Sequence, residues 1–363
     1  MRNIFFAIII LYFASNGYIF YKLWSNIKRL PFAIIIPTVA LFWTAAFSLF
    51  LSIGLRNNQL PEFIVQGLYK TGSLWMILIL YTTIITLLLD IAHIFIPAIR
   101  GTLWWGIGIT LLLLVYGYFN HRNPQIVQLN IEIDKPLEKE MRIAVASDLH
   151  LGHGTGKSTL KHFVDIINVQ KPDIILIAGD LIDNNMEPVI NKHLDKELSK
   201  LYAPMGIYMS PGNHEYISGI EKCRDFLSRT PIRMLCDSII TLDNGVQIIC
   251  RDDRHNRYRL PLELLCAKAD SSKPMILVDH QPYNLAASNS MKIDLQVNGH
   301  THHGQVWPGN LITDIIYEQS HGYRKWSHSH IWVSSGFSLW GPPVRIGTKG
   351  DIAIITLKGK TQS

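Results

Sequence analysis

Acidic residues are nearly missing from the first third of this chain. Up to Asn123 it has two, Glu62 and Asp90, against eight Lys or Arg, whereas the remainder has 26 of each sign, so the whole formal charge of +6 belongs to the first third. The balanced remainder lacks the net positive footprint that a phosphate-backbone reader needs, so no nucleic-acid partner is expected. Cysteine is scarce as well. Cys223, Cys236, Cys250 and Cys266 stand at least 13 positions apart with no CxxC pair, which argues against a zinc-thiolate site and a dense disulfide framework and leaves the redox compartment open. Repeats and low-complexity tracts are not seen after Asn123, and 363 residues allow two or more domains.

Charge is absent altogether from four long apolar runs: Ile4 to Tyr21, Leu30 to Leu55, Thr71 to Leu89 and Gly101 to Phe119. Each is near the ~20 residues that cross a bilayer core. Tyr21, Trp24, Trp75, Trp104, Trp105, Tyr116 and Tyr118 gather near their ends, as in the aromatic belts of membrane spans. The first run is longer than the core of a signal peptide, and "ASNGYIFYK" offers no convincing cleavage site. Residues 1–123 are therefore expected to be a multi-pass, integral membrane region of four helices. Arg2, Arg56, Lys70 and Arg122 on one face balance Lys22, Lys28, Arg29 and Arg100 on the other, so the positive-inside rule leaves the side of the second half undecided. Asp90 and His93, one helical turn apart, read either as a functional intramembrane pair or as interfacial residues, because Thr71 to Ile99 exceeds one span.

After the last run, residues 124–140 form a linker in which "IVQLNIEI" alternates apolar and polar side chains, the pattern of an edge strand. From Met141, apolar runs such as "MRIAVASD", "DIILIAGD" and "GIYMSPGNH" alternate with helix-like segments at Ser158 to Gln170, Pro188 to Leu201 and Gly219 to Arg229. Such alternation implies a mainly parallel sheet covered on its faces. The Asn-Gly pair in "IRMLCDSIITLDNGVQIICRDD" signals a hairpin. Further strands are expected at "MILVDH", "IDLQVNGH", "HIWVSSG" and "DIAIITL". The expected fold is an N-terminal four-helix transmembrane region followed, over 141–363, by an α/β domain of two packed β-sheets flanked by helices.

The segment "GHTHHGQ" packs His300, His302 and His303 between two glycines. Neutral imidazole is the commonest protein metal ligand, although a solvated polar turn is the bland alternative. Other strand ends in this half weigh on the choice: "SDLH" (Asp148, His150), "GDLID" (Asp180, Asp183), "GNHE" (Asn213, His214) and "DH" (Asp279, His280). Loops beyond the carboxyl ends of strands gather at the ligand site of open α/β sheets. Carboxylates mixed with imidazoles and an amide oxygen suit Mn, Fe or Zn rather than copper or iron-sulfur chemistry.

The series D-x-H, GD-x-x-D, GNHE, H, GH-x-H resembles, in order and spacing, the calcineurin-like metallophosphoesterases, and with its apolar N-terminus the chain is most similar to their membrane-anchored branch, the transmembrane metallophosphoesterase-domain proteins. The resemblance spans about 220 residues from Met141. It implies two divalent metal ions: Asp148, His150 and His302 would hold one, Asn213, His280 and His300 the other, and Asp180 would bridge them. His214 would be the catalytic imidazole, oriented by Asp183. In the family the last motif runs T-H-G-G after its first His; here His303 replaces the first of those glycines, which touches no expected ligand. Such ions, about 3.5–4 Å apart, bind phosphate oxygens and lower the pKa of a shared water.

Weaker features keep two readings each. "GTGKST" misses the phosphate-loop spacing by one residue, with Gly152 and Gly156 four apart, and reads as a helix entry. Trp340 and Arg345, in "SSGFSLWGPPVRIG", are either packing and structural groups or a substrate wall and phosphate contact. The expected activity is a membrane-bound, dinuclear metal-dependent phosphohydrolase acting on a lipid or lipid-linked phosphate, with hydrolysis of the UDP-2,3-diacylglucosamine type the sharpest candidate. Against it stand a phosphodiesterase or nuclease on soluble substrates, and a non-enzymatic membrane sensor with a metal-binding domain.

Overall fold

The structure, a computed structural model, describes residues 2–55 and 61–360, which divide into two compact units: Met1–Phe119 with Gly341–Pro343, and Asn120–Trp340 with Val344–Ser363.

The first unit is helical. Its helices α1 (Arg2–Ile27), α2 (Phe32–Gly54), α3 (Glu62–Phe95) and α4 (Thr102–His121) contain the four apolar runs, and all four are long and apolar enough to cross a membrane. Helix is the form such a run takes in lipid, because its backbone polar groups are then satisfied within the segment. Pro31 and Pro61 stand just before α2 and α3, where a missing N–H breaks no helical bond. Small residues let the helices approach: a Cβ on Gly72 would strike the Leu49 backbone of α2, and one on Gly106 would strike Thr86 of α3. Asp90 is partnered within this unit, by Lys22 Nζ at 2.5 Å, the Tyr18 hydroxyl at 2.5 Å and the Thr102 hydroxyl at 2.6 Å. Lys22 lies near the carboxyl end of α1 and is engaged with Asp90. His93 is exposed, and Arg56 lies outside the described residues.

Among its described residues the second unit holds twelve strands: β1 (Gln125–Ile133), β2 (Met141–Ala146), β3 (Ile174–Ala178), β4 (Ile207–Ser210), β5 (Ile232–Met234), β6 (Ser238–Thr241), β7 (Gln247–Cys250), β8 (Met275–Val278), β9 (Leu295–Asn298), β10 (Gly322–Trp326), β11 (Ser329–Val333) and β12 (Asp351–Gly359). They form two six-stranded sheets, ordered β1-β12-β2-β3-β4-β5 and β10-β11-β9-β8-β7-β6. Helices α5 (Lys157–Val169), α6 (Glu187–Asn191), α7 (Asp195–Leu198), α8 (Asn213–Ser218) and α9 (Ile220–Leu227) follow the strands of the first sheet, and α10 (Leu262–Cys266), α11 (Ala286–Ser290) and α12 (Gly309–Ile316) belong to the second half of the unit.

Strands β2 to β5 run parallel, as do β7, β8, β9 and β11. Their apolar runs are continuous because both faces are covered. Ile143, Val145, Ile174 and Leu176 point between the sheets, toward Ile248, Ile276 and Leu295. Their neighbours Ala144, Ala146, Ile175 and Ile177 point the other way, onto Leu160, Phe163 and Ile167 of α5. Each such aliphatic contributes about 1.5–3 kcal/mol by leaving water. A Leu176→Asp change would put an unpaired carboxylate between the sheets, and the fold would not carry it.

Two sequence expectations need adjusting. The Pro188–Leu201 segment is two short helices, α6 and α7, interrupted at His193, whose φ of 49° is left-handed and ends a helix. "IVQLNIEI" is the expected edge strand, β1, but it pairs with β12, along nine register positions. The Asn244-Gly245 hairpin joins β6 and β7 as expected, closed by Leu242 N–H donating to Val246 C=O at 2.8 Å.

Candidate metal centre

Parallel strands bring their carboxyl ends to one edge of each sheet, and the motif residues all follow those ends. Asp148 and His150 follow β2, Asp180 and Asp183 follow β3, Asn213 and His214 open α8 after β4, His280 follows β8, and His300 and His302 follow β9. Five of the seven expected ligands have positive φ: Asp148 (54°), His150 (47°), Asp180 (50°), His300 (74°) and His302 (48°). Each such residue costs about 1–3 kcal/mol and persists only where its surroundings hold it. Two glycines make the close approach possible. Gly179, at φ 77°, leaves no room for a Cβ, which would lie 2.6 Å from His280 Nδ1, and a Cβ on Gly212 would run into the Asp180 carboxylate.

Two triads result. In the first, Asp148, His150 and His302 bring ligand atoms within 4.8 Å of one another. His150 Nε2 lies 3.0 Å from His302 Nε2, and Asp148 Oδ1 lies 3.7 Å and 3.4 Å from those two nitrogens. The second comprises Asp180, His280 and His300. Asp180 Oδ2 faces both, at 3.1 Å from His280 Nε2 and 3.8 Å from His150 Nε2. Beside them, His150, Asp183 and His214 form a third group, in which His214 Nδ1 is 3.2 Å from Asp183 Oδ1. Asn213, the remaining expected ligand, opens α8. Its neighbour His214 donates its backbone N–H to Asp180 Oδ1 at 2.9 Å.

The donor set fits cations. Asn213 Oδ1 and His280 Nε2 are buried without a hydrogen-bond partner among the described residues, although buried polar atoms are nearly always paired. His280 is oriented for coordination: its Nδ1 donates to the Ala178 carbonyl at 2.7 Å, which turns Nε2 toward Asp180, the second-layer support usual for a ligating imidazole. Burial pushes His300 down to about 4 and His302 to about 3, so both rings are neutral and offer lone pairs at pH 7. Burial would also lower His150, but the Asp148 and Asp183 carboxylates override it and raise that ring to about 10; Asp180 likewise raises His280 well above its ordinary value. Burial would raise Asp148, Asp180 and Asp183, yet the imidazoles around them hold all three well below the usual carboxylate range. Such a concentration of buried carboxylate calls for positive charge.

Sequence reasoning assigned Glu215 no role. It is fully buried, and its carboxylate accepts three backbone N–H groups, from Asp180 (3.0 Å), Ile182 (3.0 Å) and Gly212 (2.7 Å). It therefore ties the β3 loop to the β4 loop. Burial, reinforced by Asp180, raises its pKa to about 7. A sequence signal existed: Glu three residues after a helix start reaches back to that start, as in "GNHE". Asp279, grouped with the ligand-type residues in sequence, instead pairs with Arg251 at 3.2 Å and Arg259 at 3.4 Å. His303 stands apart from the triads, stacked on His321 with centroids 4.6 Å apart. Arg345 takes the structural alternative. Fully buried, it donates to the carbonyls of Ser335 (2.6 Å), Gly336 (3.0 Å), Ser338 (2.8 Å) and His302 (3.2 Å).

Comparison with known proteins bears on this geometry. The family profile described as calcineurin-like phosphoesterase matches residues 141–304. An uncharacterized metallophosphoesterase of Helicobacter pylori (strain J99) is 34% identical over 281 residues, covering 74% of this chain and 75% of that one. The chain belongs to the calcineurin-like phosphoesterases. It is accordingly a metal-dependent phosphoesterase, a hydrolase. A Campylobacter jejuni metallophosphoesterase, also uncharacterized, is 30% identical, covering 69% of this chain and 68% of its own. A Danio rerio protein named transmembrane protein with metallophosphoesterase domain is 29% identical, covering 69% and 61%. Members of the family generally depend on two metal ions, and the apolar helices associate this one with a membrane.

Proposed function

We propose that this calcineurin-like phosphoesterase is an integral, multi-pass membrane enzyme that hydrolyses a phosphoester or pyrophosphate bond of a lipid-linked substrate, with residues 1–123 as its membrane domain, 124–140 as linker and 141–363 as its catalytic domain. The observation that carries the reading is the position of Asp180, whose Oδ2 lies within 3.8 Å of an imidazole of each triad. Asp148, His150 and His302 would hold one divalent ion, Asn213, His280 and His300 the other, and Asp180 would serve both; Mn, Fe and Zn suit such donors. When bound, the pair supplies positive charge for the phosphate oxygens and acidifies the attacking water.

The remaining chemistry belongs to the chain. With its Nδ1 3.2 Å from Asp183, His214 is oriented to hand a proton to the departing oxygen, a contribution of about 100- to 10,000-fold. No cysteine competes as nucleophile, because burial pushes the thiols of Cys236 and Cys266 up to about 11 and that of Cys223 up to about 12, far from the thiolate a nucleophile needs. The four apolar helices, long enough to cross a membrane, support a lipid-linked substrate. A lipid-linked pyrophosphate such as UDP-2,3-diacylglucosamine is the sharpest candidate, by analogy within the superfamily. The test is metal analysis of the detergent-purified protein with a panel comparing a soluble chromogenic diester, lipid phosphates and lipid pyrophosphates. Hydrolysis of the soluble diester alone would remove the lipid assignment, and a metal-replete but inactive protein would remove the enzyme.

A further inference from the structure

Helix α12 carries its apolar side chains outward. None of its residues is buried. Leu311, Ile312, Ile315 and Ile316 are all exposed, Ile315 by 85%, and their spacing of i, i+1, i+4 and i+5 puts them on one helical face. A single exposed aliphatic needs no explanation, but a contiguous stripe marks a surface that something covers. Trp307 and Trp340 are also exposed, by 42% and 51%. Trp340 is tied to the histidine loop, its backbone N–H donating to Gln305 Oε1 at 3.1 Å.

The candidate metal centre brackets this helix. At its start, Gly309 packs against Gly304 so closely that a Cβ on either would collide with the other's backbone. At its end, the Tyr317 ring lies 6.1 Å from that of His300 and 5.0 Å from that of Tyr283, over which the Arg254 guanidinium sits at 4.2 Å. An apolar stripe with a cation near one end therefore runs along the rim of the site.

The occupant is argued from the chain itself. Four helices able to cross a membrane precede this domain, and three residues separate the end of α4 at His121 from the start of β1 at Gln125. A bilayer is thus always at hand. We propose that α12, with Trp307 and Trp340, lies in the interfacial layer of that bilayer and sets the mouth of the metal centre at the level of the lipid headgroups. Interfacial helices seat their apolar face about 5–10 Å into the headgroup–acyl boundary, tryptophan favours that depth, and Arg254 meets headgroup phosphate there. The inference holds for any phosphoester substrate.

The experiment uses the full-length protein in proteoliposomes. Ile315→Cys is labelled with an environment-sensitive thiol dye, the parent chain is labelled in parallel as the background of native cysteines, and Tyr202→Cys, exposed by 71% just before β4 at the amino end of the first sheet, reports a position in water. The Ile315 label is expected to be quenched by lipids brominated in the acyl chain and shielded from iodide, and the Tyr202 label to show the reverse. Equal iodide quenching at both positions would overturn the proposal. So would shielding that grows with protein-to-lipid ratio without bromolipid quenching, which assigns the face to a second copy of the chain. A second variant adds Ile312→Glu to the labelled chain. Bromolipid quenching should then fall to the Tyr202 level with metal content unchanged, and unaltered quenching would show that the stripe is not what holds the label. Neither readout involves turnover, so failure here and failure of the phosphoesterase reading are told apart.

Discussion

Oδ1 of Asp183 lies 3.2 Å from Nδ1 of His214 and 3.6 Å from Nδ1 of His150. One carboxylate thus steadies a ring of the first triad and a ring outside both triads, and the two imidazoles meet edge to face with centroids 4.6 Å apart. This separation of tasks can be measured.

His214→Ala is expected to keep both ions while turnover falls by about 100- to 10,000-fold. His302→Ala should lose an ion as well as activity. Elemental analysis of the purified variants beside their rates distinguishes the two, and equal metal loss in both would mean that His214 is a ligand.

Asp180→Asn should lower the content of both ions and abolish hydrolysis, because the amide keeps the shape of the bridge and removes its charge. Near-wild-type rate with full metal content would sink the dinuclear assignment.

Glu215→Gln places an N–H₂ group among three backbone donors that now share one carboxylate. Supporting groups of this kind typically change metal affinity by about 10- to 100-fold, so a weakening of that size is expected by competition with a metal-sensitive dye. Unchanged affinity would reduce Glu215 to a helix cap.

Chelation should lower the thermal midpoint of the detergent-solubilised protein, and re-addition of divalent metal should restore it. Ions present at a hundredfold excess over their dissociation constant stabilise by about 2.7 kcal/mol, which intrinsic tryptophan fluorescence resolves. A midpoint indifferent to chelator and metal would count against an ion-binding site here.

A truncated chain beginning at Pro124 is expected to fold, bind metal and hydrolyse a small soluble diester, and to lose most activity on lipid-borne substrate in mixed micelles. A start at Asn130 would remove Gln125 to Leu129, five of the nine partners of β12, and expose the edge of that strand. Equal stability of the two, by denaturant unfolding, would contradict the pairing, and an unchanged ratio of lipid to soluble rates would reduce the helices to an anchor.

The central strands are legible in sequence because "MRIAVA" and "IILIA" are buried on both faces and so carry no interrupting charge. The clustering of the candidate ligands is legible because they follow strand ends one after another, each with its own short motif. Other features leave weaker traces. β10 is an exposed edge strand reading "GYRKW", with no apolar alternation to announce it. The tasks of Glu215 and Arg345 are to collect backbone groups from several loops, and a residue whose partners are main-chain atoms writes no pairing pattern into the sequence. His193 interrupts a helix by its backbone angle alone, for which an ordinary polar side chain gives no warning.

The place of β12 bears on how the protein is made. It lies between β1 and β2, so those strands cannot join one sheet until Gly359 has left the ribosome, 213 residues after Ala146. At about 5–20 residues per second, that is a wait of roughly 10–40 s, during which the apolar helices have long since been synthesised. The nascent catalytic half must spend that interval with unpaired strand edges. Its hydrolytic power consequently waits on a strand made long after the loops that follow β2 and β3.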